Sequence, residues 1–530
     1  MTERKTTYLT TAIDYANGPP HMGHALEKIG ADAMARYRRL KGEDVRLVIG
    51  MDEHGLNVLQ SATAAGISPQ QWVDNLADRF RDTWKRLGIS NDDFIRTTEP
   101  RHKRAVEALI ERIAAAGDLY RGTYAGYYCV GCESYKGEDE LVPVAEAGAG
   151  SAGSAGTATA GAAQAGQREV HHLRCPLHPT RTLLWMEESN WFFRLSRFQE
   201  PLLRLLDERP EFIQPEIRRN EIRRVIEGGL EDISVSRARL PWGVPWPGDP
   251  EHTVYVWIDA LTNYLSAVGF PDPDYTRWWP AELHVIGKDI TRFHCIYWPA
   301  MLMSAGLELP RGVWAHGFLT FEGRRFSKSA GVWVELDDAI ARHGPDAFRY
   351  YLLREVPWNG DGDFSWTRFD ERYTADLADD LGNLVNRTLS MIERYRAGVV
   401  PAGARTSLDE RAAVVLDAYR AAMDANLLHQ GAAAAMELAS AANAFVVERA
   451  PWQQVKDPAL ASELDTTLGS LARALATLAT LLEPFMPGKM AELASRLGLE
   501  RVPRLVELPT MDLAGRNIAR GEVLFPKERK

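Results

Sequence analysis

Cysteine is scarce in this chain, with four residues among 530. That excludes the disulfide framework of a secreted scaffold, and the clustering of three of the four points to a metal instead. Long apolar runs are missing too. None approaches the ~18 residues a membrane helix needs, so no membrane partner is expected. The first ten residues, Met1 to Thr10, hold no apolar signal core, and a cytoplasmic protein is the expectation. Positive charge is in deficit: 62 Lys and Arg against 72 Asp and Glu give a net charge of −10. This argues against an indiscriminate nucleic-acid coat. It leaves an RNA partner open, because local basic patches decide phosphate contacts. The candidate patches are Arg218-Arg219, Arg223-Arg224 and Arg237 with Arg239, each of which also reads as a solvated helix face. What the chain does have is a core. It is 45% hydrophobic and 25% charged, which rules out disorder as a whole. By the usual ~100–200 residues per domain, its length suits roughly three to five domains or one elaborated domain.

Residues 6–13 are rich in β-branched side chains and read as a strand, followed by the turn Asn17-Gly18-Pro19-Pro20. Apolar positions at helical spacing predict a helix from Gly23 to Leu40, and 45–49 a second, buried strand. Strand, helix, strand is the unit of a parallel sheet. Residues 69–116 look helical. Residues 145–167 are almost only Ala, Gly, Ser and Thr, the composition of a flexible linker. The formal GxGxxG match at 148–153 is rejected as a dinucleotide fingerprint, because neither a strand nor a helix flanks it. Strand signals return at 253–258, 283–286 and Val313 to Phe321, with a helix from about Phe293. The sheet is therefore expected to be interrupted by a module at 119–225. From Phe369 onward the pattern is helical, and Ala-rich amphipathic stretches at 409–449 and 461–484 predict a separate bundle.

Two motifs carry chemistry. His21-Met22-Gly23-His24 stands between the first strand and its helix, where a sheet's carboxyl edge and a helix N-terminus suit anions. Two imidazoles three residues apart can both face phosphates, and Gly23 lets the backbone approach a flat ring. Alone, the motif also reads as a turn with two surface histidines. The second is Arg325-Phe326-Ser327-Lys328-Ser329, between Gly323 and Gly331. Such a loop can close over a triphosphate and place one ammonium where charge develops. An ordinary basic loop is the rival for it alone. Both motifs in this order, in one interrupted α/β sheet, favour activation of a carboxylate by ATP, which is mostly orientation and charge stabilisation.

On these motifs the chain resembles the class I methionyl-tRNA synthetases, from about Thr6 to its C-terminus. Two further segments carry the likeness: Tyr255-Val-Trp257-Ile-Asp259-Ala260 to Tyr264, and His284-Val-Ile-Gly287-Lys288-Asp289-Ile290 to His294. The resemblance implies an α/β fold, with a Rossmann-type parallel-sheet catalytic domain split by a zinc-knuckle connective insert. An all-α anticodon-binding bundle follows. The implied boundaries are 1–118 and 226–322 for the catalytic halves, 119–225 for the insert, 323–368 for a mobile-loop and stem-contact region, and 369–530 for the bundle. It implies catalytic roles for His21, His24 and Lys328. ATP, accompanied by Mg2+, falls to Gly23, Glu27, Lys288, Asp289, Phe326, Ser327, Lys328 and Ser329. Methionine falls to Ile13, Tyr15, Asp52, Trp257, Ala260, Tyr264, Ile290 and His294, with Asp52 holding the α-ammonium. A polarizable sulfur wants aromatic edges, and a buried ammonium needs one carboxylate.

Cys129-x-x-Cys132 and Cys175-x-x-His178 supply four ligands of the kind a structural zinc takes, with His171 and His172 as nearby competitors. Cys295 reads as a buried thiol. In the bundle, Asn383 and Arg387 are four apart and share a helix face, and Trp452 follows Ala450-Pro451. The family reads the CAU anticodon of initiator and elongator methionine tRNA from these three positions. The chain departs from the family at Arg325 and Phe326, at Asp14 beside the pocket, and at Met51 and Leu56 around Asp52-Glu53-His54-Gly55. Such departures suit a divergent or inhibitor-resistant second copy. The chain stops without the dimerising appendage of longer members, so a monomer is expected. Two rivals stay open: a silent tRNA-binding paralogue, and a ligase of synthetase descent that joins an amino acid to a small amine.

Overall fold

The computed structural model describes residues 4–144, 167–178, 181–238, 240–326 and 332–527, without the side chains of Tyr124, Gln167 and Arg325. The expected linker and the loop residues Ser327, Lys328 and Ser329 lie outside the described residues. Among the described residues no helix is long and apolar enough to cross a membrane.

The chain opens with β1 (Thr6–Thr11), α1 (Met22–Leu40) and β2 (Asp44–Asp52). β1 and β2 pair in parallel with Thr7 opposite Val45, and α1 crosses over between them. His21 caps α1 by accepting from the His24 amide. The stretch read as one helix, 69–116, is instead α2 (Pro69–Arg86), β3 (Asp93–Arg96) and α3 (Pro100–Ala115). β3 joins β2 with Val48 opposite Asp93. Gly88 at φ +67° turns the chain out of α2. Four residues, two of them charged, give too short a pattern to announce a strand.

β4 (Leu119–Cys129) and β5 (Leu183–Phe193) form a long antiparallel ribbon, Leu119 opposite Phe193 through Tyr128 opposite Leu184. Insert and parallel sheet interleave more than a single interruption at 119–225 predicts. β6 (Ile213–Gln214) already belongs to the parallel sheet. Residues Ile233–Ser234, further along, still pair with β5.

The strand expected at 253–258 ends at Val254, and Val256–Leu261 is α4. Its side chains are buried on nearly every side, so the run carries no periodicity to separate helix from strand. β7 (Leu283–Gly287) follows. The helix expected from Phe293 opens as a π-helical turn, Phe293–Tyr297, before α5 (Trp298–Ser304). The strand expected over 313–321 is broken at Gly317, where a Cβ would lie 2.1 Å from the Gly360 carbonyl oxygen. Its first part is β8 (Val313–His316), and Leu319–Phe321 pairs elsewhere, with Gly362–Phe364. The parallel sheet runs β6-β8-β7-β1-β2, and the short segment Asp14–Tyr15 also pairs on β2. The crossovers reverse between β1 and β7, and that crevice at the carboxyl edge is where such sheets bind ligands.

The C-terminal part is helical: α6 (Pro345–Glu355), a π-helical stretch Tyr373–Gly382 running into α7 (Asn383–Arg396), then α8 (Ser407–Asp424), α9 (Leu428–Arg449) and α10 (Ala461–Leu482). α10 is buried almost all round, and its threonines close their hydroxyls on the preceding turn, as Thr480 does on the Ala476 carbonyl at 3.1 Å. Arg349 of α6 clamps the bundle to the sheet domain. Fully buried, it pairs with Asp32 of α1 at 2.7 Å and donates to the Leu87, Pro484 and Phe485 carbonyls. Burial would raise the Asp32 carboxyl, but Arg349 and Arg36 overturn that and hold it at about 2. Arg349→Ala removes the cation from a buried pair and is expected to cost about 3–5 kcal/mol of stability. Urea unfolding measures this, and a loss below about 1 kcal/mol would contradict the clamp.

Candidate functional site

The carboxyl ends of β1, β2 and β7 converge on one cavity of about 540 Å3. Ile13, Tyr15, Asp52, Trp257, Ala260, Tyr264, Ile290 and His294 all line it. Trp257 stacks on Phe293 with ring centroids 3.8 Å apart. The His294 Nδ1 donates to the Ile290 carbonyl at 3.1 Å, which leaves Nε2 to accept from the Tyr264 hydroxyl at 2.6 Å. Burial lowers the His294 pKa to about 4, so the imidazole stays neutral. The floor is thus aromatic and uncharged, fit for a soft apolar group.

Asp52 is the exception. It is buried, and its Oδ1 has no hydrogen-bond partner among the described residues. Burial pushes its carboxyl well above the usual range, and Asp259 and Glu133 add to that. A carboxylate in this state calls for a cation. Behind it, Asp259 is shared by His54 at 2.7 Å and His102 at 2.8 Å. Burial opposes its ionisation, yet the two histidines hold its carboxyl at about 2.

The insert supplies the remaining wall. Glu133, at φ 49°, is buried and lines the cavity with Gly131 and Cys132. Its Oε1 accepts from the Tyr15 hydroxyl and from the Asn57 amide, the latter at 2.7 Å. The Trp257 indole donates to the Cys132 carbonyl at 3.3 Å. Sequence reasoning missed Glu133; its one signal is its place directly after the Cys-x-x-Cys pair.

Cys129, Cys132, Cys175 and His178 place their donor atoms within 4.8 Å of one another. A tetrahedral ion with arms of about 2.0–2.3 Å needs ligand edges of about 3.3–3.8 Å. The observed values include 3.3 Å for Cys132 to His178 and 3.6 Å for Cys132 to Cys175. Gly131 is required here, since a Cβ would stand 2.5 Å from the His178 ring. These four residues can therefore hold a metal ion. His171 and His172 are exposed and outside the cluster, and Cys295 is a buried thiol.

The nucleotide candidates gather at the start of α1. His21 and Gly23 line a second cleft with Phe326. His24 stacks on His21 at 3.6 Å, and burial lowers its pKa well below normal. Glu27 is buried and bonded to Lys28 at 2.8 Å and His316 at 3.3 Å. Lys288 lies over the Phe318 ring and pairs with Asp361 at 2.7 Å, and Asp289 is exposed beside it. In the bundle, Asn383 and Arg387 line an open groove, and the Arg387 guanidinium sits 5.9 Å from the Trp452 ring.

Among the basic patches, Arg218 and Arg219 pair with Glu221 and Glu216 at 2.7 and 2.9 Å, and Arg223 with Asp207. They behave as a solvated helix face. Arg237 is buried against the Tyr255 ring at 4.1 Å, so it is no surface phosphate contact. Arg239 lies outside the described residues.

Asp14, an apparent oddity in the sequence, serves Lys28. The Lys28 ammonium, fully buried, bonds Asp14 at 2.6 Å, Glu27 and the Ala12 carbonyl. Two carboxylates on one ammonium leave a net negative cluster. Burial raises Asp14 to about 7, against Lys28 and with Glu27. Because the fold favours protonated Asp14, its contribution is present below about pH 4 and is lost as pH rises through about 7. Asp14→Asn is expected to flatten the decline in stability between about pH 4 and about pH 7 in urea unfolding. Equal slopes in both proteins would overturn that.

Comparison with known proteins gives a consistent result. The family model described as tRNA synthetases class I (M) matches residues 7–389. The chain is 40% identical to the methionine–tRNA ligase of Thermotoga maritima, over 98% of this chain and 80% of that protein. It is 43% identical to that of Brucella suis, over 94% and 92%. A Mycobacterium tuberculosis methionyl-tRNA synthetase solved in complex with methionyl-adenylate superimposes with a TM-score of 0.89 at 39% identity, covering 99% of this chain and 100% of that one.

Proposed function

The chain belongs to the class I tRNA synthetases, and from that membership we propose that it activates L-methionine with ATP and loads it onto methionine tRNA. The observation that carries this reading is the cavity at the sheet edge. Eight residues from four separated segments meet there, and one of them, Asp52, is a buried carboxylate with an oxygen unpartnered among the described residues. Asp52 takes the α-ammonium. Trp257, Ala260, Ile290 and the neutral Tyr264–His294 pair take the thioether arm, with Ile13 and Tyr15 closing the side. The methionine carboxylate then attacks the α-phosphorus of ATP, a P–O bond forms, and pyrophosphate leaves. His21 and His24 donate to the phosphates, Lys328 brings its ammonium to the developing charge, and Gly23, Glu27, Lys288, Asp289, Phe326, Ser327 and Ser329 hold the nucleotide. In the second step a terminal ribose hydroxyl of tRNA attacks the acyl carbonyl and AMP leaves.

Magnesium would accompany ATP and supply charge neutralisation at its phosphates. Zinc is the ion that three thiolates and one imidazole suit, and Cys129, Cys132, Cys175 and His178 would hold it beside the turn that carries Glu133. Asn383, Arg387 and Trp452 read the splayed anticodon bases of initiator and elongator methionine tRNA by stacking and hydrogen bonding. We place the protein in the cytoplasm as a monomer.

Methionine-dependent ATP–pyrophosphate exchange tests the reading, and purified protein that shows no exchange would sink it. Asp52→Asn is expected to lower kcat/KM for methionine by about 100-fold or more, since it removes one partner of a desolvated pair. Trp452→Ala is expected to lower kcat/KM for tRNA charging about tenfold while leaving exchange unchanged. A variant that charges tRNA like the parent would remove Trp452 from the anticodon site.

A further inference from the structure

The cleft at the head of α1 is chemically unlike the rest of the active site. It is an open cleft of about 810 Å3, part of it open to solvent. Met22 and Gly23 of α1 line it together with the aromatics Phe318, Phe326 and Trp333 and the aliphatic Leu319 and Val334. Among the described residues, His21 is the single ionisable side chain in its lining. The charged groups, Glu27, Lys28, Lys288 and Asp289, belong to neighbouring positions and do not line it. Beyond the imidazole of His21, the described lining is apolar and aromatic, and it suits a flat, uncharged heteroaromatic ring.

The aromatic residues form a corner. Phe326 and Trp333 meet edge to face, with centroids 6.2 Å apart and planes at 84°. Trp333 meets His21 in the same manner, at 6.3 Å and 79°. Edge-to-face rings at such a corner can offer an entering ring both stacking and edge contacts. Gly23 shares the lining with them. A Cβ there would already press on the His21 ring at 3.2 Å.

We propose that Trp333, set at the corner with Phe326, is the stacking platform for the adenine ring of ATP. The proposal rests on the nucleotide reading given above and adds a residue that no motif of the sequence marks. Trp333 lies beyond Gly331, outside both signature segments. Its contribution is affinity and placement of the base, which sets where the α-phosphorus stands relative to the methionine carboxylate.

The test uses the full chain and two substitutions that keep apolar bulk. Trp333→Leu removes the π face, and Trp333→Phe retains one. Base stacking of this kind corresponds to about a tenfold change in affinity or more. In ATP–pyrophosphate exchange, Trp333→Leu is expected to raise the ATP KM about tenfold. Trp333→Phe should stay within about threefold of the parent, and the methionine KM should stay within about twofold in both. An unchanged ATP KM in Trp333→Leu, or an equal rise in both KM values, overturns the platform. If the parent protein catalyses no exchange, the functional reading fails. Calorimetric titration with adenosine then decides the platform separately. Adenosine binding that Trp333→Leu weakens and Trp333→Phe preserves supports it, and binding equal in all three proteins, or absent from the parent, rejects it.

Discussion

A carboxylate taken out of water without a cation beside it is the constraint around which the catalytic half is arranged. Asp52 ends β2 at the crevice of the parallel sheet, buried and with one oxygen unpartnered among the described residues. Left alone, such a group costs several kcal/mol and takes up a proton instead. Its neighbouring carboxylates each have at least one partner, although Asp14 keeps one buried oxygen without one among the described residues. Asp259 is shared between two histidines, Glu27 and Asp14 divide Lys28, and Glu133 accepts from Tyr15 and Asn57. Asp52 is the acid whose partner has to arrive from outside. That is the physical content of an ammonium site.

The same logic explains why the insert matters to a pocket that the sheet almost completes. Glu133 is held in a left-handed conformation directly after a candidate metal ligand, and it reaches across to Tyr15. The Cys132 carbonyl receives the Trp257 indole. A turn cross-linked by four donor side chains thus presents two polar contacts to the amino-acid cavity. These hydrogen bonds tie that turn to the cavity wall. Arg349 plays the corresponding part at the far end, where one guanidinium reads Asp32 and three carbonyls from separate segments. The bundle is anchored to α1 by charge as well as by packing.

Departures from the family take on meaning in this setting. Asp14 and Lys28 read as unrelated in the chain, fourteen residues apart, yet they form one buried pair at 2.6 Å. Phe326 and Trp333 form another coupled set, an aromatic corner at the cleft at the head of α1. In both cases a substitution that looks like drift has a neighbour that accommodates it.

Much of this protein was legible without coordinates. Periodicity announced β1, α1 and β2, because a half-buried helix and a buried strand leave distinct patterns. The His21 to His24 segment and the Cys and His pairs stood out because their chemistry depends on residue type at fixed spacing; the pocket residues from Trp257 to His294 were named through the family resemblance, and the fold brings them to one cavity. Elsewhere the signal failed for identifiable reasons. α4 was taken for strand because burial on all sides erases periodicity, and β3 was lost because four residues carry too little of it. The break at Gly317 depends on the approach of Gly360, forty-three positions away in sequence, which no local pattern contains. Glu133, Lys28 with Asp14, and Trp333 belong to the same class. Sequence alone determined which chemical groups the protein carries and the local order in which they occur. Only the tertiary structure decided which of them share a desolvated space, because the energy of a buried charge or a stacked ring is set by neighbours that the chain brings in from a distance.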